Sequence, residues 1–350
     1  MAWWKSAEIC SILACPVCRG SLQVESNDAG QGMVACLNSQ CGGVFPITGG
    51  VPRFLVGEAR AEFLDRTDLP AGFRQHFRRE IEEIQMREGT QRRTRRQYSQ
   101  TWERIYLYNY RGMPSNSGRL LSLGTFQAFI GDVPFGNGEL ILDVGCGLGR
   151  FVACSSHLAP KAIIVGMDLS SGVDYVYRVA RHFNEQNLAR CLAVQASIFA
   201  PPFKREFDVV YSFGVLHHTP DPKKAFEECL KLTSNGGKTV VWLYGNDFKV
   251  SHPWVWNLVH LARQFHSKLH PDLLWAFCNL YGLSAPLLKW RYDFSISKAR
   301  FFWLDNLSNP YNAVFAREEL LSWASDLRPS VGSYEVDKLF GGWRVAAKVE

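Results

Sequence analysis

Two groups of residues have the types and spacings that chemistry needs. The first is Leu140-Ile141-Leu142-Asp143-Val144-Gly145-Cys146-Gly147-Leu148-Gly149-Arg150. An apolar run enters a turn with glycine at every second position, then a helix-like stretch from Phe151. Gly145, Gly147 and Gly149 let the backbone approach a ligand closely, where a Cβ would clash. Gly-x-Gly-x-Gly differs from the Gly-x-Gly-x-x-Gly of dinucleotide sites, so a pyrophosphate cradle is less favoured. Some way further on, a second apolar run ends at Val165-Gly166-Met167-Asp168. A carboxylate at such a strand end can accept two hydrogen bonds from a ribose diol. The second group is Cys15-Pro16-Val17-Cys18, then 17 residues, then Cys36-Leu37-Asn38-Ser39-Gln40-Cys41. Two cysteine pairs so separated suit a tetrahedral four-thiolate zinc site with a structural role. The alternative is four free thiols. Cys10 lies outside the pattern and reads as packing.

Both groups need a scaffold. The four cysteines sit among short apolar runs at 22–24, 33–35 and 44–47, and the segment closes with Gly49-Gly50-Val51-Pro52. That predicts a small β-rich module over residues 1–56. Residues 57–118 are rich in Arg and Glu, with Phe73, Phe77, Ile81 and Ile84 at helical spacing, and read as a basic helical linker or cap. From 119 to 350, short apolar runs alternate with helical patterns: 140–142, 162–165, 191–194, 207–211 and 238–243 as strands, 174–187 and 222–232 as helices. This predicts an α/β fold with a doubly wound, Rossmann-like sheet. The alternation stops after Tyr244. An aromatic-rich helical insertion over about 250–312 follows, then a helix at 318–327 and strands at 333–339 and 344–349.

Composition excludes several classes. The chain has 350 residues, 47% hydrophobic and 21% charged, too apolar for a disordered protein. Lys and Arg number 39 against 33 Asp and Glu, a net +6 that does not by itself imply nucleic acid. No run of about 18 apolar residues is present, so no membrane span is expected. The first eight residues lack a basic region leading into an apolar stretch, so no signal peptide is expected. Ten cysteines without a secretory signal favour metal ligands and buried thiols, with the cytoplasm as the expected location.

The region 119–245 resembles the class I S-adenosylmethionine-dependent methyltransferases. Asp143-Val-Gly-Cys-Gly-Leu-Gly is similar to their first motif, and Asp168 to their ribose-binding acid. Val209 to Pro222, with Phe213, His217 and His218, resembles the fourth motif and its loop; Leu230-Lys-Leu-Thr-Ser-Asn-Gly-Gly resembles the turn before the fifth strand. The resemblance implies a seven-stranded sheet and S-adenosyl-L-methionine as cofactor. It assigns to the cofactor Asp143, Gly145, Cys146, Gly147 and Gly149 from the first motif, Asp168 and Leu169 from the second strand, and Phe213 from the fourth. Ser197 and Ile198 take the adenine end, Ser197 standing where many relatives have an acid; a hydroxyl can still accept a hydrogen bond, with weaker adenine recognition, and the alternative is that the backbone beside Ile198 does the work. Fused relatives carry an aromatic-x-x-x-Trp segment over the cofactor, which maps onto Tyr98 and Trp102. An aromatic face attracts a sulfonium cation by ~0.5–2 kcal/mol; the alternative for Trp102 is plain core packing.

The N-terminal module is similar to the short zinc-ribbon proteins that partner methyltransferases, with Cys15, Cys18, Cys36 and Cys41 as its ligands and a wider second pair than is common. Arg92, Arg93, Arg95 and Arg96 have three readings: a solvated helix face, a phosphate or carboxylate site, or an RNA patch. His217 and His218 are the candidates to take a proton from an acceptor, with loop positioning as the alternative. The expected function is methyl transfer to a small-molecule or sugar-bearing acceptor. An rRNA or tRNA methyltransferase is the second reading, less favoured by the modest charge and the aromatic insertion. A non-catalytic binding protein that keeps the fold is the third. The sequence does not speak to oligomeric state.

Overall fold

The computed structural model describes residues 6–26, 30–56, 98–100, 102, 117–133, 135, 138–183, 190–283, 296–327 and 331–350. The Arg cluster at 92–96 and nearly all of the expected linker lie outside these residues.

The N-terminal part holds a one-turn helix α1 (Ala7–Cys10) and strands β1 (Leu22–Ser26), β2 (Gly32–Cys36), β3 (Val44–Thr48) and β4 (Val51–Phe54). Helix α2 (Ser117–Ile130) precedes the alternating core: β5 (Leu140–Val144), α3 (Arg150–Leu158), β6 (Ile163–Asp168), α4 (Val176–Phe183), β7 (Cys191–Ala196), β8 (Phe207–Phe213), α5 (Pro222–Lys231) and β9 (Thr233–Tyr244). Helices α6 (Asp247–Ser251), α7 (Pro253–His266), α8 (Pro271–Gly282) and α9 (Ile296–Ser308) form the insertion. The chain ends with α10 (Arg317–Trp323), β10 (Val331–Leu339) and β11 (Gly342–Val349).

The strands form one sheet in the order β1-β2-β3-β4-β7-β6-β5-β8-β9-β11-β10. From β7 to β9 the pairing is parallel; β11 enters antiparallel to β9 and carries β10 beside it. The seven strands from β7 to β10 are the sheet the resemblance implied. The sheet is nevertheless larger than seven, because β4 pairs parallel with β7 and adds the four N-terminal strands.

Strand β4 was missed in the sequence because Pro52 and Arg53 interrupt its apolar pattern. Its signal was the Gly49-Gly50 pair: both have positive φ, 58° and 77°, as a two-residue hairpin between antiparallel strands requires. Val51 and Pro52 pair with β3, Arg53 and Phe54 with β7, so the strand is shared.

Alternate residues of β5 go to opposite faces. Leu140, Leu142 and Val144 join one core, Ile141 the other. The first core also contains Ile9, Ile12, Phe45 and Phe54 beside Phe203 and Phe226, so the cysteine module and the sheet share one apolar interior. The main chain reinforces this: the Ala14 amide donates to the Pro202 carbonyl and the Lys204 amide to the Ile12 carbonyl, both at 2.9 Å. Helix α5 starts as its sequence dictates, with Pro222 in the first turn and the Asp221 carboxylate capping the Lys224 amide at 3.0 Å.

Candidate active site

Strand β5 is flanked by β6 on one side and β8 on the other; helix α3 after β5 packs into one core and helix α5 after β8 into the other. The crevice at the carboxyl ends of such strands is where open α/β sheets bind ligands. A cleft of about 850 Å³ lies there. Of the residues expected to hold a cofactor, Gly145, Asp168, Leu169, Ser197, Ile198, Tyr98 and Trp102 line it, as does His218. Val215, Thr219, Pro220, Phe199, Ser170 and Tyr311 also line it. Tyr311, more than 90 residues downstream of His218, carries no motif that sequence reasoning could use.

The other expected residues stand behind this wall. Phe213 belongs to an aromatic cluster, stacked on Trp242 at 4.8 Å between ring centres. Asp143 is 3% exposed, and one of its oxygens has no partner. Burial, then the neighbouring Asp168 charge, pushes its pKa well above the usual carboxylate range. Cys146 is buried against the loop, and its thiol is likewise pushed up by burial.

The glycines meet protein before they meet any ligand. A Cβ on Gly145 would lie 2.4 Å from Val215, one on Gly147 2.8 Å from the Trp102 ring, and one on Gly149 2.9 Å from Val176. All three have positive φ. Packing therefore demands glycine here independently of a ligand. Trp102 occupies a slot between Gly147 and Gly172, where a Cβ would also come within 2.8 Å of the indole.

Asp168 is the best-supported polar group of the cleft. The Gly147 amide donates to one oxygen at 2.8 Å; the Ser170 amide and hydroxyl donate to the other at 2.7 and 2.6 Å. Burial raises its pKa, and these donors oppose the rise. The Ser197 hydroxyl oxygen accepts the Phe199 amide at 3.2 Å, so its own proton remains free to donate to a ring nitrogen.

A buried arginine from the N-terminal strands braces this end. Arg53 is 3% exposed; it donates to the Thr48 hydroxyl and carbonyl, to the Gln195 side chain at 3.1 Å, and to the Asp174 carboxylate. Gln195 donates onward to the Leu169 carbonyl at 3.0 Å. Sequence reasoning did not single out Arg53.

At the opposite end the two histidines part company. His217 is fully buried, stacked on Tyr244 at 3.8 Å between ring centres, with both ring nitrogens unpartnered. Burial, then His218, lowers its pKa well below the usual value, so it is neutral, and it does not line this cleft. His218 lines the cleft. Its Nδ1 lies 3.0 Å from the Tyr311 carbonyl, while Nε2 makes no hydrogen bond and sits 3.8 Å from Asp305.

Cys15, Cys18, Cys36 and Cys41 converge as their spacing implied: all four sulfurs lie within 4.8 Å of one another. Cys15 and Cys41 are 3.7 Å apart, Cys18 and Cys36 3.4 Å. Arg19, next to the first pair, donates to the Pro201 and Phe203 carbonyls, so the knuckle is fastened to the loop that follows Ile198 and Phe199.

Residues 142–241, which include most of the strands that build the cleft, match the family model of the methyltransferase domain. Among curated proteins, it is 29% identical over 154 residues to a ubiquinone biosynthesis O-methyltransferase from Coxiella burnetii, covering 42% of this chain and 64% of that one. It is 31% identical over 103 residues to a tRNA U34 carboxymethyltransferase from Campylobacter curvus, covering 29% and 33%. The chain thus spans less than two thirds of either relative. Among solved structures, magnesium protoporphyrin IX methyltransferase from Synechocystis PCC 6803 with bound SAM aligns with a TM-score of 0.44 at 10% identity, over 76% of this chain and 99% of that one. Among the described residues, no helix is long and apolar enough to cross a membrane.

Proposed function

We propose that the protein is an S-adenosylmethionine-dependent methyltransferase acting on a small-molecule acceptor. The observation that carries this is the cleft itself: Gly145, Asp168, Leu169, Ser197 and Ile198 meet at the strand ends, inside the stretch that matches the methyltransferase domain. The half-buried, triply bonded Asp168 suits a ribose diol, and the apolar Leu169 and Ile198 suit a purine. Tyr98 and Trp102 offer aromatic faces to a sulfonium. When bound, the cofactor supplies a methyl group already activated by the sulfonium charge. The residues of the chain then align the acceptor, exclude water and hold the proton that leaves it. Tyr98 reaches this wall through its hydroxyl, which accepts from the Asn309 side chain at 3.0 Å.

The ubiquinone-pathway relatives support a small molecule; the tRNA relatives support RNA as the second reading. RNA binding would show a steep loss of affinity with salt. Calorimetry with S-adenosylhomocysteine tests the main reading. Micromolar binding to the full chain is expected; no heat, or displacement by a nicotinamide dinucleotide instead, would overturn it.

We further propose that Cys15, Cys18, Cys36 and Cys41 hold one structural zinc. Four converging sulfurs fit tetrahedral thiolate coordination after small adjustments, and a module this small gains most of its order from such a staple. Metal analysis of the purified chain checks it, with one zinc per chain expected.

A further inference from the structure

Polar atoms without partners collect where the helical insertion meets the cleft. His218 Nε2, Arg263 Nη2, the Ser308 hydroxyl and both amide atoms of Asn312 are buried and unpartnered. Buried polar groups in folded proteins nearly always have partners, so several orphans in one neighbourhood mark a place that a polar ligand completes. The neighbourhood is continuous. The Tyr311 carbonyl meets His218, the Tyr244 hydroxyl donates to Asp305, and the Arg263 guanidinium donates to the Asn306 carbonyl at 2.6 Å.

The tautomer of His218 follows from its contacts. A carbonyl can only accept, so Nδ1 carries the hydrogen and donates to Tyr311. Nε2 therefore presents a lone pair. Asp305 stands 3.8 Å from it, too far to matter to the neutral ring but well placed once a proton arrives. Burial lowers the His218 pKa, with Asp305 and the Tyr311 carbonyl raising it and Arg263 lowering it. The ring is thus uncharged at neutral pH, and His217, Tyr98 and Tyr244, which also face it, are uncharged too.

We propose that this end of the cleft is the acceptor subsite, that it takes a neutral acceptor bearing an acidic hydroxyl, a phenol or an enol, and that His218 Nε2 receives its proton. The inference rests on the methyltransferase reading above and adds the class of acceptor. The acceptor O–H bond breaks and its proton passes to Nε2. An oxygen electron pair forms the new bond to the methyl carbon, and the pair of the broken carbon–sulfur bond stays on sulfur. The imidazolium then faces Asp305. Arg263, 2% exposed, and Asp305 set opposite charges at this end, and at His218, Tyr98 and Tyr244 the Asp305 carboxylate weighs more. That carboxylate stabilises the imidazolium formed when His218 takes a proton, which suits an acceptor that must give one up.

The experiment uses the full chain saturated with S-adenosylhomocysteine, which has no methyl to transfer. 4-Nitrophenol and 4-nitrocatechol are the probes, because their ionised forms are read directly by absorbance. The expected result is that at least one binds and ionises about one pH unit below the free compound, roughly tenfold more anion at a given pH. His218→Gln should abolish that shift while S-adenosylhomocysteine still binds, which also shows that the variant is folded. Asp305→Asn should reduce it and move the activity rise with pH to lower pH, since a group that raises the His218 pKa is gone. Failure of both probes to bind or ionise, an unchanged shift in His218→Gln, or equally tight binding of 4-nitroaniline would overturn the proposal. If S-adenosylhomocysteine itself does not bind, the methyltransferase reading fails instead. Should His218→Gln not fold, loss of the shift in Asp305→Asn decides.

Discussion

The two ends of the cleft are built on opposite principles. At the Asp168 end, the carboxylate has three donors, Arg53 ties the N-terminal strands to Asp174 and Gln195, and Gln195 ties β7 to Leu169. Both Asp168 oxygens are met within the chain; the unpartnered oxygen of Asp143 lies behind the wall. At the His218 end, orphaned atoms of α7, α9 and the following loop lie behind His218 and Tyr311, which line the cavity. The difference teaches which end is finished and which awaits a molecule. A satisfied wall holds its shape before binding. An unsatisfied one holds chemistry in reserve and takes its specificity from what completes it.

Four experiments sharpen that contrast. The largest effect is expected from Cys15→Ser with Cys18→Ser, which should abolish zinc binding, measured by metal analysis. Because the cysteine module shares a core and a strand pairing with the sheet, S-adenosylhomocysteine affinity should fall more than tenfold with it. A zinc-free chain with native affinity would separate the module from the finished wall. Next is Asp168→Ala, which removes a charge-assisted contact of about 1.5–3 kcal/mol, a loss of roughly ten- to hundredfold in affinity by calorimetry. Unchanged affinity would mean that the donor grips elsewhere.

Arg53→Met leaves the Gln195 and Asp174 acceptors without their donor. Asp174 is 32% exposed and can turn to water, so the cost should be about 2 kcal/mol, below the figure for a fully buried pair. Denaturant unfolding reads the stability, and calorimetry should show weaker S-adenosylhomocysteine binding with zinc retained. The smallest effect concerns His217. Its folded pKa lies below the unfolded value of 6.5, so it contributes stability above that pH and loses it as pH falls. The thermal midpoint should drop more steeply from about pH 7 to 5 in the native chain than in His217→Phe, which keeps the stack on Tyr244. Equal slopes would show that His217 is not held neutral.

Much was legible in the linear chain. Residues 140–142, 191–194 and 209–211 are apolar throughout, because parallel strands are covered on both faces, and each lies within an observed strand. The cysteine spacing announced four converging sulfurs, and the spacing from the glycine turn to Asp168 announced two neighbouring strand tips. Periodicity and local turn chemistry act over a few residues, so a sequence displays them directly. It could not show that β4 joins β7 across more than 140 residues, that Arg53 would be buried there, or which histidine of an adjacent pair faces the cleft. Nor could it bring Arg263, Asp305 and Tyr311 to His218. Those are outcomes of long-range packing, in which a side chain's partners and charge state depend on what the rest of the chain places around it.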